Sequence, residues 1–363
     1  PVCDEGGECH LQDMTVMTGH AYRRTRFRKR TYRNQDLGPF INHEMNRCIQ
    51  CYRCVRYYRD YAGGRDLNVF SVHDHVYFGR THDGTLENEF SGNLVEVCPT
   101  GVVTDKTLGR HYTRKWDLQD APSICVHCGV GCNTSPRARY GMLRRIVNRF
   151  HFDINGYFLC DRGRFGYEFV NSERRISSVR PSVPQRQVIE DIGSLIRNGG
   201  KVIGIGSPRA SLEANFALRM LVGADRFFSG VRGDESLPVV KVAELLRRSP
   251  CPIASVHDIE VYDAVLVLGE DLINTAPRLA LAVRQSVRRK SMETAARMKI
   301  PAWHDYAVRT LAQDERSPLV IATPYETALD EIASESHRGA PEDLARLGFA
   351  IACAIDPQAP RVE

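Results

Sequence analysis

The stretch RCIQCYRCVRYY, residues 47–58, sets Cys48, Cys51 and Cys54 at even spacing. Three thiolates in a C-x2-C-x2-C run let one short loop cover three corners of an iron–sulfur cube. Zinc sites take their ligands more often as separated CxxC or CxxH pairs, because two knuckles build a tetrahedron most easily. A bacterial ferredoxin run would place a fourth Cys after three intervening residues, followed by Pro. That position is Tyr58. The fourth ligand must therefore come from elsewhere, and Cys98 in VCPTG is the candidate. A Cys-Pro pair closes such sites because proline fixes the turn and withholds its N–H.

A second set follows in SICVHCGVGC, with Cys125, Cys128 and Cys132 at C-x2-C-x3-C and Cys160 further on in FLCDRGRFG. Gly129 and Gly131 give the backbone room beside inorganic sulfur. Again one loop and one remote thiol suit a cube, with zinc as a competitor. Cys3 and Cys9 in PVCDEGGECH form a third, incomplete set. Two thiolates do not hold a cube, and the adjacent His10 points away from Cys9 in extended chain. His20, His43, His73, His75 and His127 are lone histidines and are assigned no metal. Cys251 and Cys353 stand apart, and Cys251 is expected to be a buried structural thiol.

The elements that position these residues divide the chain. Of 363 residues, 42% are hydrophobic and 26% charged, ordinary values for a folded globular chain. No stretch approaches the roughly eighteen apolar residues of a spanning helix. Residues 1–180 carry 27 Lys and Arg against 20 Asp and Glu, while the remainder is slightly acidic. Ten of the twelve cysteines lie before residue 161, and without a secretion signal metal binding is a better reading than disulfides. The chain opens Pro-Val-Cys and closes just after a helical pattern, so a fragment is expected.

Residues 1–115 are rich in turns and poor in periodicity, which predicts a block organised by something other than apolar side chains. Residues 116–175 form the second Cys-rich block. After Ser177 the pattern becomes strand, glycine, helix. KVIGIGS (201–207), DAVLVLGEDL (263–272) and PLVIATP (318–324) read as strands. Helices are expected over 211–222, with Ser211 as N-cap, over 276–289 and over 340–355. Such alternation predicts a parallel α/β sheet. The basic run YRRTRFRKRTYR (22–33) interleaves seven cations with aromatics and reads as a solvated or subunit-facing surface.

PVCDEGGECHLQD, NQDLGPFI, MNRCIQCYRCVRYY, SGNLVEVCPTG, SICVHCGVGC and FLCDRGRFGYE, in this order, closely resemble the G-subunit family of bacterial NADH:quinone oxidoreductase, respiratory complex I. The resemblance covers essentially the whole chain and is most specific over 1–175. It is closest to the proteobacterial form, which carries the second cube set. The fold class it implies is α/β. Iron–sulfur domains of α+β type come first, with a partial His/Cys3-type site and one [4Fe–4S] site over 1–115. A [4Fe–4S] domain of molybdopterin-oxidoreductase type over 116–175 follows, then a truncated molybdopterin-oxidoreductase-like α/β domain over 176–363.

The resemblance also implies a function, electron relay from an NADH/flavin subunit toward quinone, within a proton-translocating enzyme. Cys48, Cys51, Cys54 and Cys98 match a [4Fe–4S] site on the main electron wire. Cys125, Cys128, Cys132 and Cys160 match an extra [4Fe–4S] site off it. Cys3 and Cys9 match the last two ligands of a His-and-three-Cys site whose other ligands would precede Pro1. A [2Fe–2S] cluster belongs to full-length members, and no molybdenum is expected. Arg47, Arg53 and Arg56 flank the first triple and would raise its potential by favouring the reduced cluster. The partners implied are the NADH/flavin subunit, a ferredoxin-like two-cluster subunit and the quinone-site subunits of the peripheral arm. Neither nucleic acid nor direct membrane insertion is implied, and the place is peripheral, on the cytoplasmic side of the bacterial inner membrane. A molybdopterin-dependent dehydrogenase such as a formate dehydrogenase is the alternative enzyme. A zinc-ribbon nucleic-acid binder is the alternative binding protein.

Overall fold

The computed structural model describes residues 3–20, 22–26, 30–176, 183–198 and 201–361. They form two compact units, one of residues 1–171 with 254–363 and one of residues 172–253. This grouping joins the thiol-bearing blocks to the later parallel sheet and sets the first strand–helix stretch apart.

In the larger unit, the described residues of 3–117 contain no helix or strand longer than the eight residues of His10–Met17. Strand Ile41–His43 pairs antiparallel with Val103–Asp105, and Asn68–Phe70 with Tyr77–Gly79. The expectation that apolar side chains would not organise this block is corrected. Leu37, Ile41, Tyr58, Phe90 and Leu94 are buried in one cluster that also takes in Cys98 and Cys160. Each short element contributes one or two of these side chains, so the core leaves no periodic trace in the sequence. Its backbone is held as much by side chains as by ladders. Asp105, for example, accepts from the amides of Thr107 (2.8 Å) and Leu108 (3.0 Å) to cap the helix Lys106–Gly109.

The second Cys block is an antiparallel sheet in which Asn133–Arg139 pairs with Gln119–Asp120, Ser123–Ile124 and Met142–Asn148. Three parallel strands, Val265–Leu268, Leu319–Thr323 and Glu335–Arg338, form the later sheet in that order. Helix Pro277–Ser286 packs between this sheet and the thiol block. Its Ala280 and Val283 face the strand core of Val267, Leu319 and Ile321, and its Leu281 joins the thiol-block cluster. Gln285 reaches the Tyr61 carbonyl (2.9 Å), and Arg309 forks onto both Asp60 oxygens (2.9 Å each).

Residues 172–253 contain the parallel pair Gly204–Ile205 and Phe227–Phe228. Ser211 caps helix Leu212–Val222 through the Ala214 amide (3.1 Å), as its position suggested. Cys251 is exposed, which corrects the expectation of a buried thiol; it follows the end of helix Gly233–Arg248, a helix with no buried residue. Among the described residues no helix is long and apolar enough to cross a membrane.

Candidate thiol sites

The loop that carries the first triple is bent by two residues in the left-handed region, Gln50 (φ 54°) and Tyr52 (φ 61°). Neither is glycine, so each turn costs on the order of 1 kcal/mol and persists because its surroundings enforce it. The turns alternate with the cysteines. Before them, the Met45–Arg47 turn buries Met45 and takes the Cys48 amide onto the Met45 carbonyl (3.0 Å). After them, Cys54 enters the helix Arg53–Val55, which runs into a wide turn, Arg56–Tyr61, that buries Tyr57 and Tyr58. The Gln50 amide points back at Cys48 Sγ (3.3 Å).

Cys98 reaches the same place from the end of helix Leu94–Val97, its amide bonded to the Leu94 carbonyl (3.0 Å). Cys48, Cys51, Cys54 and Cys98 line one cavity with Leu37, Leu67, Phe78 and Val102. It holds about 510 Å³ of space unfilled by protein atoms, part of it open to solvent. Burial pushes the Cys54 thiol up to about 12, and the neighbouring Cys98 and Cys48 add to it. Cys48 is raised for the same reasons, despite the Gln50 amide. Four sulfurs lining one apolar pocket, with the charged forms of Cys48 and Cys54 made costly by burial, fit an iron–sulfur cube.

The second set is built differently. The Cys125 amide donates to the Cys132 carbonyl (2.8 Å) and closes the loop between them. Asn155, fully buried, grips the exit of that loop. Its Oδ1 accepts from the Asn133 amide (2.9 Å), and its Nδ2 donates to Asn148 (2.7 Å) and to the Arg149 carbonyl (3.0 Å). Cys160 immediately precedes helix Asp161–Phe165. A Cβ on Gly163 would lie 2.8 Å from Leu159 Cδ1 and 3.3 Å from Cys125 Sγ, so glycine is what lets the helix approach that thiol. Burial pushes Cys132 up to about 12 and Cys160 to about 11, with the other thiols of the set adding to each. The thiols of the set thus feel one another's charge, and as a donor set they suit a cube. Among the described residues no three His, Cys, Asp or Glu side chains converge tightly enough to share one metal ion. A lone zinc would need all its ligand atoms within about 2.0–2.3 Å of a point. At the first set, thiols spread round a cavity suit a core that places several metal atoms between them.

The segment of Cys3 and Cys9 packs against later parts of the chain. Glu5 and Lys115 form a buried ion pair (3.0 Å), Lys115 also meets Glu8 (2.8 Å), and Arg137 meets Glu8 (2.8 Å). Cys9 is buried at the start of helix His10–Met17, whose Leu11 amide faces the Pro99 carbonyl (3.4 Å). A Cβ on Gly101 would lie 2.4 Å from Cys3 Sγ. The Cys3 thiol and the helix that follows Cys9 therefore lie beside the turn after Cys98. His10 is exposed. Two thiols are not a donor set for a cube, and these residues by themselves do not fit one.

Of the three flanking arginines, Arg47 alone is tied in. It donates to the Gly101 carbonyl (3.2 Å) and lies 3.8 Å from Glu44, although all three arginines are exposed. His43 is buried and bonded, its Nε2 to the Phe78 carbonyl (3.0 Å) and its Nδ1 accepting from the Gln35 amide (3.2 Å). In the basic run, residues 27–29 lie outside the described residues. Arg30 pairs with Asp74 and Arg33 with Asp83, both at the surface. Sequence reasoning missed Asn155, whose only signal is its place in the turn DINGY between two cysteines, and the charges Glu96 and Arg164 beside the closing thiols.

Comparison with known proteins gives two family models and a group of close relatives. Residues 38–104 match the ferredoxin-like domain of NADH-quinone oxidoreductase subunit 3. Residues 118–172 match the molybdopterin oxidoreductase Fe4S4 domain. The chain is 58% identical to the G subunit of NADH-quinone oxidoreductase from Pseudomonas fluorescens, over all of this chain and 40% of that protein. It is 56% identical to the G subunits from Yersinia pestis and Escherichia coli K12, over all of this chain and 40% and 41% of theirs. The chain thus spans about 40% of the length of these relatives.

Proposed function

From a chain that belongs to the G-subunit family of NADH-quinone oxidoreductase along its whole length, we propose an electron-relay component of that oxidoreductase. Cys48, Cys51, Cys54 and Cys98 hold one [4Fe–4S] cluster, and Cys125, Cys128, Cys132 and Cys160 hold a second. Cys3 and Cys9 supply two ligands of a third site. The observation that carries the reading is the arrival of Cys98, from a separate helix, at the same apolar cavity as the Cys48 triple. An iron–sulfur cluster, when bound, supplies reversible one-electron exchange.

The chain's own part is to hold and tune. The amides of Gln50 and Gly163 donate to ligand sulfurs and so favour negative charge there. The apolar wall of Leu37, Leu67, Phe78 and Val102 bounds the first site and limits its contact with water. Arg47 sets a fixed positive charge between the Cys48 loop and Cys3. In this reading the working domains are 1–115, 116–175 and 176–363. The partners are the NADH/flavin subunit, a two-cluster ferredoxin-like subunit and the quinone-site subunits, on the cytoplasmic side of the inner membrane. No molybdenum is bound.

Anaerobic reconstitution of the full chain with iron and sulfide tests this directly. Two cubes give a brown protein with roughly eight irons and matching acid-labile sulfide. Zinc in excess of iron would sink the redox reading, and stoichiometric molybdenum would favour a molybdopterin-dependent dehydrogenase instead.

A further inference from the structure

The two closing cysteines are reached by segments that lie against each other. Residues 89–96 lead into Cys98, and residues 159–164 surround Cys160. The Asp161 amide donates to the Glu89 carbonyl (2.7 Å), and the Asp161 carboxylate accepts from Ser91 Oγ (2.6 Å) and the Gly92 amide (2.7 Å). The Asn93 side chain takes both backbone groups of Leu159, donating to its carbonyl (2.8 Å) and accepting from its amide (3.1 Å). Arg164, 2% exposed, forks onto Glu96 (2.7 and 3.0 Å) and donates to Asn93 Oδ1 (3.0 Å). Its own amide bonds the Cys160 carbonyl (2.9 Å). Glu96 sits two residues before Cys98.

Arg164 is buried, while the Glu96 side chain is 28% exposed. Breaking the pair leaves the buried guanidinium without its carboxylate, a costly unpaired charge, so the fork holds Arg164 in place. Arg164 Nε has no partner, so the pair holds a fixed arrangement without satisfying every donor. We propose that Arg164 and Glu96 are positioning residues that set Cys160 and Cys98 from one shared ion pair. Each thiol set then holds its iron in a geometry that depends on the far end of the pair. This inference rests on the iron–sulfur reading above.

The test uses the full chain, reconstituted anaerobically, as wild type and as Ser91→Ala, Glu96→Gln, Arg164→Gln and Arg164→Lys. Each is also made with Cys48→Ser/Cys51→Ser, leaving the Cys125-set signal, and with Cys125→Ser/Cys128→Ser, leaving the Cys48-set signal. Glu96→Gln shifts the reduced EPR g-values of the Cys125-set cluster, and Arg164→Gln shifts those of the Cys48-set cluster. Iron loss to a chelator from each remote set accelerates roughly two- to a hundredfold, the span of coupling between contacting residues. Arg164→Lys, which keeps the charge, moves the line shapes back toward wild type.

Wild-type g-values at the remote set in both variants overturn the proposal. So does a uniform iron loss that Arg164→Lys does not reduce, which is the signature of ordinary packing. If Arg164→Gln does not fold, Ser91→Ala removes one hydrogen bond to Asp161 and is read alone. A shifted Cys125-set signal then supports the proposal, and an unshifted one overturns it. A wild-type chain that takes up no iron would bring down this inference and the reading beneath it. A loaded wild type with unmoved remote signals would bring down the inference only.

Discussion

The thiol-bearing residues 3–171 and the sheet-bearing residues 254–361 share one compact unit but are held by different forces. Around the parallel strands the core is apolar and periodic, with Val267, Ala280, Val283, Leu319 and Ile321 packed across strand and helix. Around the cysteines the elements are a few residues long, apart from the strands Asn133–Arg139 and Met142–Asn148, and buried polar groups such as Asn93, Asn155, Asp105 and Arg164 help fix the path of the backbone. A chain that must aim four sulfurs at one point cannot run in regular ladders there. Backbone groups freed from ladders must find side-chain partners, since leaving them unpaired in the interior costs about 1–3 kcal/mol each. Regularity thus serves the sheet block, and directed hydrogen bonds serve the thiol block.

The sharpest break of this contrast is Cys98→Ser. It should remove roughly four irons per reconstituted chain, with loss of one EPR signal, while hydrogen exchange of the strand Leu319–Thr323 stays at wild-type rates. Loss of both signals would show the two thiol sets to fold as one. The converse is Ile321→Ala, in the apolar block. A cavity there should cost about 2–5 kcal/mol, read as faster exchange of strands Val265–Leu268 and Leu319–Thr323, with the iron content unchanged. Iron loss in that variant would mean that the blocks are not separable.

Asn155→Ala should cost about 1–3 kcal/mol by orphaning the amide of Asn133. It should broaden the Cys125-set signal and leave the Cys48-set signal sharp. The smallest effect is electrostatic and lies in the sheet block. Burial pushes Asp330 up, but hydrogen bonds from Ser336, Arg338 and Thr327 outweigh it and hold the carboxyl at about 2. Its folded pKa is depressed, so its contribution is complete above the ordinary carboxylate range. It is lost as pH falls toward 2. With Arg338 partly exposed and its charge screened by solvent, the effect is on the order of 1 kcal/mol or less; Asp330→Asn should lower the thermal midpoint slightly at neutral pH, and the difference should vanish near pH 2.

Much of the sheet block was legible in the sequence. The strand Leu319–Thr323 and the helix Pro341–Ile355, and outside that block the helix Leu212–Val222, lie within one or two residues of where an apolar run, Ala340-Pro341 and Ser211 place them, and the strand Val265–Leu268 lies inside the run 263–272. Helix Gly233–Arg248 was not, because Pro238 stands inside it. The hairpin of Asn133–Arg139 with Met142–Asn148 was not either, since the arginines and asparagines in both strands mask the alternation of a half-buried pair.

By itself the sequence determined what the sites are made of. Cysteine spacing is a local property: two residues between thiols dictate which corners one loop can reach, whatever surrounds it. Only the tertiary structure decided where the remote thiols arrive. Cys98 and Cys160 are separated from their loops by intervening chain whose path depends on Asn93, Asp161, Arg164 and Glu96 meeting across the fold. Those partners carry no spacing rule, because a hydrogen bond between residues about seventy positions apart is set by how the intervening elements pack and not by any periodicity that links its ends.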